Sequence, residues 1–285
     1  MKVLVTGVKG QLGFDVVKEL EKRGHTAIGV DIEEMDITDL AAVERVIGDT
    51  APEAIVHCAA WTAVDAAEDA ANLEKVRRIN AIGTGYIAQA AKRINAKMIY
   101  ISTDYVFGGE GERPWQPDDE RTPLNVYGQT KYEGELAVEK ALDRYFIVRI
   151  SWVFGVNGKN FIRTMLKLSE THDTLRVVND QIGLPTYTFD LARLLVDMVE
   201  SDKYGRYHAT NEGDYISWAD FATEIFRAAG KQTRVIPVTT AEYGVSKAKR
   251  PFNSRMSRDK LTQNGFALLP AWQDALNRYL TEIKE

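Results

Sequence analysis

Short apolar runs alternate with amphipathic segments through the first half of the chain. The apolar runs cover residues 2–7, 26–31, 53–60, 96–103 and 145–151, and each predicts a strand. Between them, residues 12–24, 39–50, 72–95 and a segment that contains residues 127 and 131 have helical apolar spacing. Continuously apolar strands that alternate with helices predict a parallel sheet covered on both faces. Ligands of such sheets bind beyond the carboxyl ends of the strands.

The alternation becomes less regular after about residue 155. Residues 174–180 and 190–200 are candidates for one more strand and helix of the sheet, whereas NFIRTMLKLSE, SWADFATEIFRAAG and WQDALNRYLTEI predict helices of a smaller lobe. We therefore predict an α/β fold, a Rossmann-type doubly wound parallel sheet with a smaller, mainly helical substrate-binding lobe. The predicted dinucleotide-binding domain is 1–155 together with about 174–203. Most of 156–285 forms the lobe, with interleaved segments.

Composition narrows the class of protein. The 285 residues are 45% hydrophobic and 27% charged, as is typical of a soluble globular protein, and the net charge of -5 gives no reason to expect nucleic acid as a partner. No apolar run approaches the ~20 residues of a membrane helix, and the first apolar stretch is too short for a signal peptide. Cys58 is the sole cysteine. We expect a cytoplasmic protein without a membrane partner.

Three glycines form the first chemical motif. Gly7, Gly10 and Gly13 lie directly between the first predicted strand and the first predicted helix. Glycine at these points permits a tight turn and lets backbone N–H groups approach a pyrophosphate at a helix N-terminus. The alternative is an ordinary glycine-rich turn, but the placement between strand and helix favours a dinucleotide site.

Two residues give conflicting indications of the cofactor. Asp31 ends the second predicted strand, where a carboxylate can accept hydrogen bonds from an adenosine ribose and favour NAD(H). Lys9 lies inside the glycine turn, where an ammonium could pair with a 2′-phosphate and favour NADP(H), unless it is a solvated loop charge. We expect NADPH, with NADH as the alternative.

Tyr127 and Lys131 are candidates for proton transfer. Four residues apart in a predicted helix, they lie on one face. A nearby ammonium lowers the pKa of a phenol from about 10, and the phenol could then protonate an alkoxide as hydride reaches a carbonyl carbon. Alone, the pair would more often be a surface feature. Thr103 and Ser102 end the fourth predicted strand, where a hydroxyl could orient a substrate carbonyl or merely cap a turn.

Longer stretches carry a family resemblance. The motifs TGVKGQLG, STDYVFGG and YGQTK resemble those of the extended short-chain dehydrogenase/reductase family. HCAAWTAVDAAE, VVNDQIGLPT and KRPFNSRM make nearly the whole chain similar to the dTDP-4-dehydrorhamnose reductase family. The resemblance implies NAD(P)H-dependent reduction of the 4-keto group of dTDP-4-dehydrorhamnose to dTDP-L-rhamnose.

The resemblance also implies roles for individual residues. Thr103 would contact the sugar carbonyl, Tyr127 would donate the proton, and Lys131 would bind the nicotinamide ribose and tune Tyr127. The implied cofactor set is Gly7, Lys9, Gly10, Gln11, Leu12, Gly13, Asp31, Asp36, Ile37, Ala60, Trp61, Thr62, Tyr127 and Lys131. The candidate substrate set is Thr103, Asp104, Tyr127, Trp152, Asn160, Gln181, Arg250, Asn253 and Arg255.

The residues themselves give partial support on the substrate side. Trp152 follows the fifth predicted strand, where an indole can pack on a sugar face or a base, or belong to the core. The arginine fork matches phosphate oxygens, although a single arginine is more often solvated. Gln181 belongs to a loop that could equally fix the orientation of the lobe.

Three carboxylates are candidate ligands for a metal ion. Some members of the family bridge subunits through Mg²⁺; Asp15, Glu282 and Glu285 are candidate ligands here, but surface carboxylates are usually solvated and we predict no metal. A monomer and a homodimer both remain open.

The alternatives are a non-catalytic regulatory subunit of the methionine adenosyltransferase beta type, or another nucleotide-sugar epimerase, reductase or dehydratase. The complete Thr103, Tyr127 and Lys131 set disfavours the first, and the lack of a glutamate after Asp104 disfavours a dehydratase.

Overall fold

The computed structural model describes residues 1–284. The strands are β1 (Lys2–Thr6), β2 (Thr26–Val30), β3 (Ala54–His57), β4 (Lys97–Thr103), β5 (Tyr145–Ile150), β6 (Val153–Phe154), β7 (Thr174–Val178), β8 (Ile182–Gly183), β9 (Thr186–Tyr187), β10 (Gly205–His208), β11 (Asn211–Glu212), β12 (Ile216–Ser217), β13 (Arg234–Val238) and β14 (Leu269–Ala271). The α-helices are α1 (Gln11–Lys22), α2 (Leu40–Thr50), α3 (Val64–Ala67), α4 (Leu73–Arg77), α5 (Thr84–Arg93), α6 (Val126–Ala141), α7 (Phe161–Leu168), α8 (Thr188–Val199), α9 (Trp218–Ala228), α10 (Thr240–Tyr243), α11 (Asp259–Gln263) and α12 (Trp272–Glu282). A π-helical segment, Arg78–Gly83, joins α4 to α5.

Six parallel strands form the main sheet, in the order β10-β5-β4-β3-β1-β2. Every residue of β3 and β4 is buried, as the continuous apolar runs predict for strands covered on both faces. Alternate residues of β1 serve opposite faces: Val3 and Val5 pack with α1 and α8, whereas Leu4 packs with α2 and α5. The predicted α/β class, with helices on both faces of a parallel sheet, is confirmed.

The sixth strand is not the one that the sequence suggested. The strand within 174–180, β7, pairs with β13 outside the main sheet, and the sheet is completed by β10 beside β5. The predicted helix at 190–200 does pack on the main sheet, as α8. Only one of the five residues of β7 is buried, unlike the central parallel strands, and the sequence GRYH of β10 has too few apolar residues to indicate a strand.

A second hydrophobic core belongs to the smaller lobe. The three helices predicted there are observed as α7, α9 and α12, and their apolar faces meet around Phe154, Phe221 and Tyr279. The lobe contacts the start of α1 directly, because the side-chain amide of Asn160, before α7, donates a hydrogen bond to Gln11 Oε1 at 3.0 Å. The predicted domain limits stay a prediction.

Across residues 1–284, no helix combines the length and the apolar character needed to cross a membrane.

Candidate active site

One large cavity, of about 1170 Å³, opens at the carboxyl ends of β1 to β5. Of the residues that the sequence predicts for the site, those lining it are Gly7, Lys9, Gly10, Gln11, Leu12, Gly13, Asp31, Asp36, Ile37, Ala60, Thr62, Thr103, Asp104, Tyr127, Lys131 and Trp152. This edge is where parallel α/β sheets bind ligands, because the loops that follow the strands converge there.

The glycine turn is packed too tightly for other residues. A Cβ at Gly13 would lie 2.4 Å from the carbonyl oxygen of Gly7. Gly7 itself has a φ of 69°, and a Cβ there would lie 2.8 Å from the backbone nitrogen of Ala59. Gly10 is the N-cap of α1 and provides no side-chain cap, so N–H groups of the first turn stay available for an anion. The turn therefore fits a diphosphate.

Charged groups surround the end of β2. The Asp31 carboxylate accepts hydrogen bonds from the backbone N–H of Lys9 at 3.0 Å and of Ile32 at 2.9 Å. The Lys9 ammonium lies 2.7 Å from Glu33 Oε2, and both side chains are 60% exposed. Glu33, which the sequence analysis did not single out, therefore competes for the ammonium that a 2′-phosphate would use.

Tyr127 and Lys131 both reach the cavity from α6. The helix begins at Val126 because Asn125 caps it, accepting a hydrogen bond from the backbone N–H of Gly128 at 2.8 Å. Lys131 Nζ donates to the carbonyl of Ile101 at 2.7 Å. Thr103, at the end of β4, lines the same cavity and donates its hydroxyl hydrogen to Asp104 Oδ1 at 3.0 Å. The structure thus brings the three predicted catalytic residues together.

The pKa of Tyr127 does not follow the expectation. We expected Lys131 to lower it, but burial raises the pKa of Tyr127 above its usual value, with Thr103 opposing the rise. Burial also lowers the pKa of Lys131 to about 7, against the opposing charge of Glu135. The Lys131 ammonium is directed to a carbonyl rather than to the phenol. A raised pKa keeps the phenol protonated, which is the form that a proton donor needs.

An aromatic wall stands at the other end of the cavity. Trp152 has a φ of 48°, an unfavourable conformation for a bulky residue. Its indole stacks on Trp218, with ring centroids 3.8 Å apart and planes at 18°. Trp218 also lines the cavity, although no sequence motif marked it as a site residue. Packing against the lobe therefore stabilises a strained residue at the site.

Asp104 is a buried carboxyl group at the cavity wall. Its Oδ2 atom has no hydrogen-bond partner among the described residues. Burial raises the pKa of Asp104 to about 6, although the nearby hydroxyl groups of Ser254 and Thr103 oppose that change. An unpartnered buried acceptor is costly unless a ligand satisfies it, so Asp104 is suited to contact a hydroxyl group.

Six predicted residues do not line the cavity: Trp61, Asn160, Gln181, Arg250, Asn253 and Arg255. Asn160 caps α7 and donates to Gln11 Oε1 at 3.0 Å. Gln181 donates to the hydroxyl of Thr240 at 3.0 Å. The Trp61 indole donates to a backbone carbonyl at 3.0 Å. These three residues hold loops in place in this structure.

The remaining three belong to the segment 249–256. Asn253 donates to two backbone carbonyls and accepts a hydrogen bond from Arg255 at 3.1 Å. The Arg250 guanidinium donates hydrogen bonds to the Asp65 carboxylate at 2.7 Å and to the hydroxyl oxygen of Tyr105 at 3.0 Å. The Tyr105 ring packs edge-on against Tyr127, at 5.5 Å between centroids. Arg250 thus reaches the site only through another side chain.

Several groups near the cavity escaped sequence reasoning. Cys58, Lys75, Arg78, Asn157 and Lys159 line it. Cys58 could have been found, because it directly follows a predicted strand, whereas the loop around 157–159 carried no signal. Outside the lining, Asn80 in the π-helical segment accepts a hydrogen bond from the backbone N–H of Trp61 at 2.8 Å and holds the loop after β3. Such segments occur often at functional sites.

The candidate metal ligands are engaged otherwise. Asp15 is buried on α1, where it accepts a hydrogen bond from Thr188 at 2.5 Å. Glu282 accepts one from Tyr187. Glu285 lies outside the described residues. Within residues 1–284, no group of three or more His, Cys, Asp or Glu side chains is arranged to hold a metal ion.

Known protein sequences are similar to this chain over nearly its whole length. The family profile described as RmlD substrate binding domain matches residues 1–285. The spore coat polysaccharide biosynthesis protein SpsK of Bacillus subtilis is 42% identical over 99% of this chain and 97% of its own. The dTDP-4-dehydrorhamnose reductase of Aggregatibacter actinomycetemcomitans is 39% identical over 96% of this chain and 97% of its own.

Solved structures are similar over the full length. The crystal structure of a dTDP-4-dehydrorhamnose reductase from Clostridium acetobutylicum superposes with a TM-score of 0.96, at 40% identity and 100% coverage of both chains. A Bacillus anthracis dTDP-4-dehydrorhamnose reductase in complex with NADP gives 0.94, at 39% identity and 99% coverage of both chains.

The fold and the site define a Rossmann-type protein of the extended short-chain dehydrogenase/reductase class, with a threonine, a tyrosine and a lysine beside the glycine turn. Within that class, the chain belongs to the RmlD family, that of the dTDP-4-dehydrorhamnose reductases. The family resemblance read from the sequence is confirmed.

We predict that Gly13→Ala weakens cofactor binding at least tenfold and lowers the melting temperature, because the new methyl group would overlap the carbonyl oxygen of Gly7. Gly48→Ala on α2 is the matched control. Nothing lies within 4 Å of a Cβ there, so alanine should stabilise the helix by about 0.5–1 kcal/mol. Thermal melts and fluorescence titration with NADPH measure both effects. Unchanged NADPH affinity in Gly13→Ala would remove the turn from the cofactor site.

Proposed function

We propose that the protein reduces the 4-keto group of dTDP-4-dehydrorhamnose to give dTDP-L-rhamnose, using a nicotinamide cofactor. One observation carries the proposal: Thr103, Tyr127 and Lys131 line a single cavity together with the glycine turn. Relatives that are 35–39% identical and named dTDP-4-dehydrorhamnose reductase support it. The complete trio argues against a purely regulatory binding protein.

The cavity suits a dinucleotide laid across the strand ends. N–H groups at the start of α1 would hold the diphosphate, Asp31 and Asp36 would face the adenosine, and Lys131 would bind the nicotinamide ribose. The nicotinamide, when bound, supplies the hydride that reaches the carbonyl carbon. The Bacillus anthracis relative, in complex with NADP, supports this class of cofactor.

Three side chains orient the carbonyl oxygen, transfer a proton to it and stabilise the resulting charge. When the substrate binds, the Thr103 hydroxyl hydrogen turns from Asp104 Oδ1 to the carbonyl oxygen, and Thr103 and Tyr127 together orient that oxygen. Tyr127 then transfers its proton to that oxygen as negative charge develops. The Lys131 ammonium stabilises the resulting phenolate electrostatically. Because the pKa of free Tyr127 is raised by burial, the phenol is fully protonated before the reaction begins.

The sugar and the base meet the other end of the cavity. The unpartnered Asp104 oxygen accepts a hydrogen bond from a sugar hydroxyl. Trp152 and Trp218 provide a flat apolar surface, which suits a sugar face or a thymine ring. A dTDP-sugar is therefore the proposed partner of this site.

The direct test is incubation of the protein with dTDP-4-dehydrorhamnose and either NADPH or NADH. We expect absorbance at the nicotinamide wavelength to fall and dTDP-L-rhamnose to form. Cofactor binding without consumption of the sugar would instead favour the regulatory alternative.

Tyr127→Phe should reduce kcat by about 10²–10⁴, the usual effect of losing one acid or base group. Cofactor affinity should change little, because the ring and its packing remain. Tyr132→Phe is the control, since Tyr132 lies on the same helix but outside the cavity lining. Steady-state kinetics and NADPH titration distinguish the effects. Normal turnover in Tyr127→Phe would show that another group donates the proton.

Lys9→Ala tests the cofactor preference. Because the ammonium lies at the adenosine end of the cavity, its loss should weaken NADPH binding about threefold to tenfold and leave NADH binding nearly unchanged. Lys22→Ala, at the exposed end of the same loop-helix unit, serves as the control. Kd values for both cofactors are measured by fluorescence. Equal losses for NADPH and NADH would exclude Lys9 from recognition of the 2′-phosphate.

A further inference from the structure

A buried ion pair lies one helical turn beyond Lys131. Glu135 continues the spacing of four that begins with Tyr127 and Lys131, so the three side chains share one face of α6. Arg149 binds the Glu135 carboxylate through two hydrogen bonds, each 2.8 Å long. Both side chains are 0% exposed. Neither residue lines the cavity, and the proposed reaction does not use them directly.

The pair belongs to a polar row across three strands. Ser102 of β4 is the register partner of Arg149 on β5, and Arg149 is the partner of His208 on β10. The Ser102 hydroxyl donates to Glu135 Oε1 at 2.6 Å. Arg121 also donates to Glu135, at 2.9 Å. One carboxylate therefore connects α6 to two neighbouring strands.

Stability alone does not account for this row. Removing two charges from water is expensive, and well-packed apolar residues often stabilise a fold as well as a buried ion pair does. This face of the central strands is apolar around Ile55, Met98 and Ile147, and its buried polar side chains, among them His57, Ser102 and Arg149, lie toward the carboxyl ends of the strands. A charged pair at this depth therefore points to a role at the neighbouring site.

Two consecutive residues of β4 are joined to α6 by side chains from that helix. The Ile101 carbonyl accepts a hydrogen bond from Lys131, and the Ser102 hydroxyl donates to Glu135. Thr103 is the next residue along the strand. These two bonds set the position of the Thr103 hydroxyl relative to Tyr127 on the helix.

We propose that Glu135, held by Arg149, is a positioning residue that fixes β4 against α6 and places a carboxylate one helical turn from the Lys131 ammonium. The inference rests on the proposed function, because it assigns Glu135 a task in that same site.

The charges around Lys131 support this role. The titratable groups near it are Tyr127 and Glu135 on α6, Tyr100 on β4, and His57 and Cys58 at the end of β3. Burial lowers the pKa of His57 to about 3 and raises the pKa of Cys58 to about 12, so both are neutral near pH 7. The pKa values of Tyr100 and Tyr127 are likewise raised by burial. Glu135 is thus the anion of this group.

Glu135 stays ionised over the working range of pH. Burial disfavours its charge, but Arg149, together with Ser102 and Arg121, outweighs that effect and lowers the pKa of Glu135 to about 2. Burial lowers the pKa of Lys131 to about 7, and Glu135 opposes that change. Removing the carboxylate charge must lower the pKa of Lys131 further, so the ammonium would be lost at a lower pH.

The test is the pH dependence of kcat/KM in Glu135→Gln. Activity that needs the Lys131 ammonium falls as pH rises through its pKa, and this fall should move about one unit lower in the variant. At pH 8 the variant should then be about tenfold slower than the unmodified protein, and near pH 5.5 the two should be similar. A merely structural role would lower activity at every pH alike.

Glu139→Gln is the matched control. Glu139 lies one turn further along α6 and binds the same Arg121, at 2.9 Å, together with Arg206. It lies two helical turns from Lys131, twice as far along α6 as Glu135. Its pH profile should match that of the unmodified protein. A Glu135→Gln profile that superimposes on the Glu139→Gln profile overturns the proposal.

A second variant separates loss of the Glu135 charge from simple misfolding. Glu135→Gln alone leaves the buried Arg149 charge unpaired, so the double variant Glu135→Gln/Arg149→Met removes both charges. A smaller acidic shift is expected there, because loss of the Arg149 cation opposes loss of the Glu135 carboxylate. A shift to the alkaline side in the folded double variant contradicts the proposal. Ser102→Ala keeps all charges and tests the positioning separately. It should lower kcat about threefold to tenfold without shifting the pH profile, and a normal kcat would contradict the positioning role.

Cofactor binding separates this inference from the proposed function. The pH dependence of NADPH binding is measured by fluorescence in each variant and does not require turnover. If the unmodified protein fails to reduce the sugar, the proposed function fails, yet a shift in NADPH binding in Glu135→Gln would still support the role of Glu135. If the sugar is reduced and the pH dependence of neither kcat/KM nor NADPH binding shifts in Glu135→Gln, only the proposed role of Glu135 is excluded.

Discussion

The site depends on how closely α6 packs against β4. A Cβ at Gly134 would lie 2.3 Å from the hydroxyl oxygen of Tyr100, and one at Gly128 would lie 2.2 Å from the carbonyl oxygen of Tyr105. Glycine lowers the intrinsic stability of a helix, so its use at these two positions indicates that close approach matters more. The approach lets short bonds from Lys131 reach the end of the strand.

Burial at this contact determines which side chains carry a charge. Lys131 is 3% exposed, and without compensation a buried ammonium would lose its proton too readily. The same surroundings keep the phenol of Tyr127 and the thiol of Cys58 protonated. The protein therefore places a charged lysine among groups that burial has neutralised, and a carboxylate from the next turn balances it.

Much of this arrangement was predictable from the sequence, because parallel strands end at one edge. Continuous apolar runs predicted five strands of the sheet. The ends of those strands and the helical spacing of four then placed Thr103, Tyr127 and Lys131 at one edge. The sixth strand, GRYH, escaped because its polar residues lie at the sheet's edge and carry no apolar run.

Other features depend on contacts that spacing does not reveal. The pKa of Tyr127 moved opposite to the expectation because the sequence shows which groups are near but not how deeply they are buried. Arg250 and Asn253 looked like ligands for a diphosphate, yet Arg250 binds Asp65, 185 residues away in the chain, and Asn253 binds backbone carbonyls 140 and 143 residues away. Trp218 gave no signal, because only folding brings α9 against the residue that follows β5.

The stacked indoles of Trp152 and Trp218 join the sheet to the smaller lobe. At 3.8 Å and nearly parallel, their electronic transitions interact strongly. Rotation of one lobe relative to the other would separate the two rings and alter that coupling. The protein thus contains an intrinsic spectroscopic reporter, in which circular dichroism in the indole region follows interlobe geometry without any attached dye.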